Sequence, residues 1–274
     1  MGTLYLIATP LGNLEDITLR ALRILGEVSL IATEDTRTTG KLLKHFDIRC
    51  PMVSYYEHSQ PERVKQILET LADNDVALVS EAGMPLVSDP GYQLVQAAIQ
   101  QGINVVSLPG PSAVTTALPV SGLPLDQFLF VGFLPRKSAA RRRLLSEVTP
   151  QKATLVCFEA PHRLLATLAD MADLLGADRN IAICRELTKF YEEVWRGTLG
   201  EAQQVWADRI PKGEFTLVIA GHTTPVVWDE KQVEVVLIEA IDSGLSTKDA
   251  TRQVAITTGW SKKQVYALAL RLKA

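Results

Sequence analysis

This chain has no excess of positive charge, few cysteines and no long apolar run. Its 274 residues carry 28 Lys and Arg against 31 Asp and Glu, a formal net charge of −3. Nucleic-acid binding through bulk positive charge is thereby excluded, and any such contact must come from local patches. The three cysteines, Cys50, Cys157 and Cys184, are widely spaced and form no C-x-x-C pair. That excludes a disulfide framework and fits a reducing compartment. No segment reaches the ~20 apolar residues that cross a bilayer, and the N-terminus enters a strand pattern without a signal-peptide pattern. A soluble, cytoplasmic protein with no membrane partner is expected. Common site motifs are missing as well. There is no G-x-x-x-x-G-K-[ST], no G-x-G-x-x-G after the first strand and no G-x-S-x-G, which disfavours P-loop, nicotinamide and esterase chemistry. His45, His58, His162 and His222 are scattered with no H-E-x-x-H, so no metal is expected.

What is there is ordinary globular material, 47% hydrophobic and 22% charged. The length exceeds the usual ~100–200 residues of one domain, which points to two compact domains. Short β-rich runs alternate with helical ones. Strands are expected at 3–9, 28–33, 76–80 and 105–108. Helices are expected at 17–25, 38–46, 92–101 and from a capping box at Ser59-Gln60-Pro61-Glu62 to about Ala72. This alternation predicts βαβ units and a parallel sheet. After Leu125 come strands at 128–132, 154–159, 181–184 and 215–220, with helices at 163–175 and near 201–208. The fold class is α/β, with two domains of mainly parallel or mixed sheets and a C-terminal helical piece. The divisions expected are 1–118, 119–224 and 225–274. Pro90 to Leu125 holds 36 residues without a charge, and reads as interior or the wall of a groove. Helices at 233–241, 248–256 and 262–272 close the chain, the last two joined by Thr257-Thr258-Gly259-Trp260 like a helix-turn-helix. Six basic residues and one acidic lie between Ser246 and Ala274. This piece reads either as a structural cap or as a nucleic-acid contact.

Four Gly/Pro-rich loops follow expected strands, at 9–13, 80–85, 88–91 and 108–113. In an open α/β sheet, ligands sit just beyond the carboxyl ends of the strands, and small residues let main chain approach them. Without phosphate-reading glycines or a lysine, the loops suggest a neutral or zwitterionic ligand held by main chain. The other reading is tight structural turns. A basic run, Arg136, Lys137, Arg141, Arg142 and Arg143, has no acid within it. It reads as a solvated helix face or as a phosphate contact. Its place after a strand end favours the phosphate contact.

Leu4 to Asn13 with Ile17-Thr18-Leu19-Arg20-Ala21-Leu22 resembles the opening motif of the tetrapyrrole methylase superfamily, the class III S-adenosylmethionine methyltransferases. Further segments are Ala32-Thr33-Glu34-Asp35-Thr36-Arg37, Gly132-Phe133-Leu134-Pro135, Phe158-Glu159-Ala160-Pro161-His162-Arg163 and Arg185-Glu186-Leu187-Thr188-Lys189, with Gly213-Glu214-Phe215 downstream. Together they resemble the branch that 2′-O-methylates a decoding-centre cytidine of 16S rRNA. The resemblance implies a donor cleft between two α/β domains, a homodimer, and the 16S rRNA of the small ribosomal subunit as partner. It carries S-adenosyl-L-methionine onto Pro10, Ala82, Gly83, Met84, Ser112, Ala113, Phe158 and Leu187. Two residues depart from the pattern: Glu81 and Met84 stand where Asp and Thr are usual. Methyl transfer to a ribose hydroxyl needs in-line positioning and gains from a nearby proton acceptor. Asp35, just past the second strand, is the first candidate, with a cap or ion pair to Arg37 as its structural alternative. Lys189 is the second candidate. Arg185 joins Arg136, Lys137, Arg141, Arg142 and Arg143 as an expected phosphate contact. The rivals are a tetrapyrrole C-methyltransferase and a non-catalytic RNA-binding assembly factor.

Overall fold

Val76, Ala77, Leu78 and Val79 are all buried, apolar on both sides of the strand they form. That pattern belongs to a sheet covered on both faces, which is what the computed structural model of the protein contains. It describes residues 1–56, 61–222 and 228–272. The first sheet consists of β1 (Thr3–Ile7), β2 (Leu30–Thr33), β3 (Met52–Ser54), β4 (Val76–Val79) and β5 (Asn104–Leu108). Its order is β3-β2-β4-β1-β5 and every pair is parallel. Side chains alternate between faces. Ala77 and Val79 pack under α1 (Leu19–Glu27) and α2 (Thr36–His45). Val76 and Leu78 pack under α3 (Pro61–Leu71) and α4 (Tyr92–Gln100). Thr18 starts α1 by accepting a hydrogen bond from the Ala21 amide. Gly26 lies inside α1, which runs past the end expected at residue 25. The capping box expected ahead of α3 begins at Ser59 and Gln60, outside the described residues.

The uncharged stretch contains α5 (Ala113–Ser121), a helix that prolines at 109, 111 and 119 hide from a periodicity reading. Pro119 lies in the last turn of α5, just before Gly122 takes the left-handed conformation at φ 74° and ends the helix. Val114, Ala117 and Leu118 of α5 pack on the second sheet, against Val156, Ala182, Cys184 and Val218. The expected division after residue 118 therefore falls inside a helix that belongs to the second sheet, and both sheets lie in one compact unit, Met1–His222.

The second sheet is mixed. It holds β6 (Phe128–Phe133), β7 (Thr154–Glu159), β8 (Asn180–Arg185), β9 (Glu193–Thr198) and β10 (Phe215–Ile219) in the order β6-β7-β10-β8-β9. Only β6 and β7 run parallel. Its other face is covered by α6 (Ser138–Val148), α7 (Leu164–Leu175) and α8 (Leu199–Ala207), with Trp206 fully buried. A separate unit, Thr223–Ala274, consists of α9 (Glu230–Asp242), α10 (Thr247–Thr258) and α11 (Lys262–Arg271). Val233, Leu237, Val254, Val265 and Leu268 form its core. Gly259, at φ 72°, turns α10 into α11.

The basic run straddles the start of α6: Arg136 and Lys137 precede the helix, and Arg141, Arg142 and Arg143 inside it do not stand free. Arg141 is 4% exposed, and its guanidinium meets Asp170 of α7 at 2.6 Å. Arg142 bridges Asp170 at 3.1 Å and Asp173 at 2.5 Å. Arg143 pairs with Glu147 one turn on. The reading of the run as a free phosphate contact is corrected for Arg141 and Arg142, whose acids come from α7, distant in sequence, while Arg143 is paired within its own helix. Burial alone would raise the Asp170 carboxyl, but hydrogen bonds from Arg141, Arg142 and Ser138 outweigh it and hold it below the usual aspartate range. Stability from this network is thus present above the ordinary aspartate pKa and is lost as pH falls through the lowered one. Arg141→Ala leaves Asp170 with Arg142 and Ser138 only. It is expected to cost roughly 3 kcal/mol in urea denaturation, the low end for breaking a buried pair.

Candidate active site

The loops that follow the parallel strands converge at one end of the first sheet. Strand order reverses between β1 and β4, and it is there that an α/β sheet opens a crevice. Thr9 and Gly83 close it from below. Each main-chain N–H donates to the other's carbonyl at 2.9 Å. The Thr9 hydroxyl donates to the Ser80 carbonyl at 3.1 Å, and the Ser80 hydroxyl donates to the Gly83 carbonyl at 2.8 Å. Gly83 has φ 84°, and a Cβ there would stand 3.2 Å from the Leu11 side chain.

The facing wall comes from the second sheet. Because β10 runs antiparallel to β7, the start of β10 lies beside the end of β7. Phe158, Glu159, Ala160 and Pro161 thus join Glu214, Phe215 and Thr216 along the cleft. Phe133 meets Phe158 edge-on at 5.4 Å. Glu159 is buried and pins the turn. It accepts from the Ala160 amide at 2.7 Å, Arg163 Nε at 2.6 Å and the Thr167 hydroxyl at 2.5 Å.

Between the walls is a cleft of about 510 Å³, in the range for a small-molecule site. Ala82, Gly83, Met84, Ser112, Ala113 and Phe158 line it. Of the residues expected there, Pro10 and Leu187 do not. Pro10 is buried beside Thr9, and Leu187 is packed in the core under α5. Among the described residues the lining also carries Glu34, Glu81, Asp89, Glu159 and Glu214 and no lysine or arginine. Burial, then the Glu34 carboxylate, raises Asp89 to about 6.

Neither expected proton acceptor stands in this lining. Asp35 caps α2 through the Arg37 amide at 2.7 Å and grips the Arg37 guanidinium at 2.8 Å. That guanidinium holds Asp35 at about 2, too weak a base for the role expected of it. The structural alternative is the one observed, and the acid on the cleft is its neighbour Glu34. Lys189 contacts Glu186 at 3.1 Å and Glu214 at 3.0 Å. Burial acts to lower its pKa, but the bonds to Glu214 and Glu186 prevail and raise it, so it stays charged and is no base. Its methylenes lie over Gly12, where a Cβ would be 2.1 Å from Lys189 Cγ. Arg185 donates to the Lys212 carbonyl at 2.7 Å and faces Glu193 at 3.6 Å, so it too is engaged within the fold. Arg136 and Lys137 are exposed.

Residues 3–203 match the family of tetrapyrrole (corrin/porphyrin) methylases, and 229–273 match the RsmI C-terminal HTH domain. Ribosomal RNA small subunit methyltransferase I of Halalkalibacterium halodurans is 50% identical, over 97% of this chain and 93% of that one. The protein of that name from Synechocystis sp. is 46% identical, over 100% and 99%. The chain belongs to the tetrapyrrole methylase family, in the branch of ribosomal RNA small subunit methyltransferase I. The crystal structure of uroporphyrin-III-C-methyltransferase from Thermus thermophilus shares the fold, with a TM-score of 0.56 at 21% identity over 80% of this chain and 94% of that one. Tetrapyrrole methylases take their methyl group from S-adenosylmethionine, and this cleft fits it. The donor carries cationic sulfur and ammonium groups, the lining is acidic, and a cradle of Gly83, Ala82 and Ala113 leaves room for it.

Asp89 and Glu81 were within reach of sequence reasoning. Asp89 is the last charge before the uncharged stretch, in one of the four loops. Nothing local, however, separates Glu34 from Asp35.

Gly83→Val would drive a branched side chain toward Leu11 at a φ that L-residues avoid. Calorimetry should find S-adenosylmethionine affinity reduced at least about tenfold, since the strained loop is the cleft floor. Unchanged affinity in a folded variant would exclude main-chain holding by this loop.

Proposed function

We propose that the protein methylates the ribose 2′-hydroxyl of a cytidine in the decoding centre of 16S rRNA, using S-adenosylmethionine. The observation that carries this reading is an acidic, small-residue cleft in a chain matched end to end by relatives named for small-subunit ribosomal RNA. The donor, when bound, supplies a methyl group on cationic sulfur that leaves without acid assistance. The chain's own residues do the rest. Main chain of the Thr9, Gly83 and Ser112 loops holds the ligand, and Glu34, Glu81 and Asp89 oppose its positive charge. Phe133 and Phe158 exclude water from one side. Arg136 and Lys137, exposed just before α6, remain to meet RNA phosphates, joined by the partly exposed Arg142 and the exposed Arg143. Arg141 is withdrawn from that role by its burial against Asp170. The second unit, whose match is to a helix-turn-helix domain, adds Lys248, Arg252, Lys262 and Lys263 as further contacts. The reading includes a cytoplasmic homodimer.

Incubation of unmodified 30S subunits with labelled donor tests it. Label recovered as 2′-O-methylcytidine from the decoding centre is expected, and label on a base or on no RNA would overturn it. Arg136→Ala with Lys137→Ala should weaken subunit binding. It should also flatten the slope of log affinity against log salt by roughly 1.5, as two phosphate contacts predict, with donor affinity unchanged.

A further inference from the structure

The strand registers bring several loops to one end of the second sheet. Arg185 of β8 lies opposite both Glu193 of β9 and Phe215 of β10, and Phe215 lies opposite Glu159 of β7. The β8–β9 turn, residues 186–192, therefore projects from the cleft end of the sheet, beside the segment 208–214 that leads into β10. At its tip, Phe190 is 94% exposed, the most exposed large hydrophobic side chain among the described residues, and Tyr191 is 66% exposed. The two rings meet edge-on at 5.0 Å. Ile210, on the neighbouring segment, is exposed as well. Single exposed apolar residues are ordinary, but a group of them beside a cleft marks a contact surface.

The turn is held in place. The Glu186 amide donates to the Glu214 carbonyl at 2.9 Å, and the Glu186 carboxylate accepts from the Glu214 amide at 2.9 Å. Glu214 lines the cleft, so the rings are tied to its wall. Glu186 and Thr188 take left-handed φ values of 50° and 65°, strain that persists only where surrounding contacts impose it. The acids here are occupied within the fold: Glu193 by Arg185 and Arg209, Glu186 and Glu214 by Lys189, and Glu192 by the Thr188 amide. Lys212 is exposed and pairs with no acid among the described residues. Two rings cover far less than the roughly 800 Å² per partner of a stable protein interface. They do match a nucleobase, and Lys212 matches its phosphate.

Resting on the ribosomal RNA reading above, we infer that the 186–192 turn is a stacking platform for single-stranded RNA next to the target nucleotide. An unpaired base lies on Phe190 and Tyr191, and Lys212 meets the adjoining phosphate. Arg136 and Lys137 follow the end of β6, at the opposite edge of the same sheet end. The RNA thus crosses the mouth of the cleft with a grip on either side. Stacking of this kind accepts any base, and it holds a neighbour in place while the target leaves its own stack.

The test uses the whole protein, with a fluorescein-labelled oligoadenylate decamer followed by anisotropy and unmodified 30S subunits with labelled donor. Phe190→Ala with Tyr191→Ala should weaken decamer binding at least about tenfold while Phe190→Trp retains it, with S-adenosylmethionine affinity unchanged in both. On 30S subunits the double variant should raise KM about tenfold and leave kcat within about twofold, because the platform touches neither reacting atom. Lys212→Ala should flatten the slope of log decamer affinity against log salt by about 0.7, one phosphate contact on a single strand. Unchanged decamer affinity or unchanged KM in the double variant overturns the platform, as does an unaltered protein that binds no decamer. A changed mass of the double variant in sedimentation equilibrium assigns the rings to a second copy of the chain and likewise overturns it. An unchanged salt slope in Lys212→Ala overturns the phosphate contact. The ribosomal RNA reading survives each of these results. A protein that methylates no 30S subunit overturns that reading instead, and the decamer contrast then decides the platform by itself.

Discussion

Two main-chain hydrogen bonds between Thr9 and Gly83 are the constraint on which the cleft depends. They join the loop after β1 to the loop after β4, the two strands between which the order of the first sheet reverses. Without them, each loop would be an independent surface turn with its own freedom. With them, and with the two hydroxyl contacts through Ser80, the floor of the site is an extension of the sheet. Rigid scaffolds that present loops in this way are where binding chemistry collects. Gly83 is needed because its φ of 84° is strained for any residue with a Cβ.

The charges are sorted with similar economy. Most cations of the second sheet's half are committed to acids within the fold. Arg141 and Arg142 hold Asp170, Arg163 holds Glu159, and Lys189 holds Glu186 and Glu214. These contacts are partly or wholly buried, so each carries a desolvation penalty that its hydrogen bonds must offset. What they secure is geometry: Glu159 shapes one wall, and the Lys189 stem packs on Gly12 of the other half. Among the described residues, the charged groups that line the cleft are all carboxylates. Such a lining attracts cationic groups and repels phosphate.

Much of the architecture follows from local pattern. Runs such as Val76–Val79 are apolar at every position, and only a doubly covered strand satisfies them. Helix starts such as Thr18 and Ser261 are written in their caps. The four small-residue loops mark the ligand end of the first sheet because they follow its strands. These features depend on residues a few positions apart, so the sequence alone determines the α/β class, the parallel first sheet and the rim of the site.

Tertiary structure decided the rest, because the deciding partners are distant in sequence. Arg141 reads as an exposed cation until α7 places Asp170 against it, 29 residues away. Glu34 and Asp35 are adjacent carboxylates, and only the folded chain assigns one to the cleft and the other to the Arg37 cap. The helix from Ala113 to Ser121 is concealed by proline and becomes legible when its apolar face meets the second sheet. Asp89 acquires its raised pKa from burial and from Glu34, neither of which exists before β2 and β4 lie side by side. A local pattern can specify an element and its exposed or buried face, but a charge takes its role from whatever the fold brings next to it.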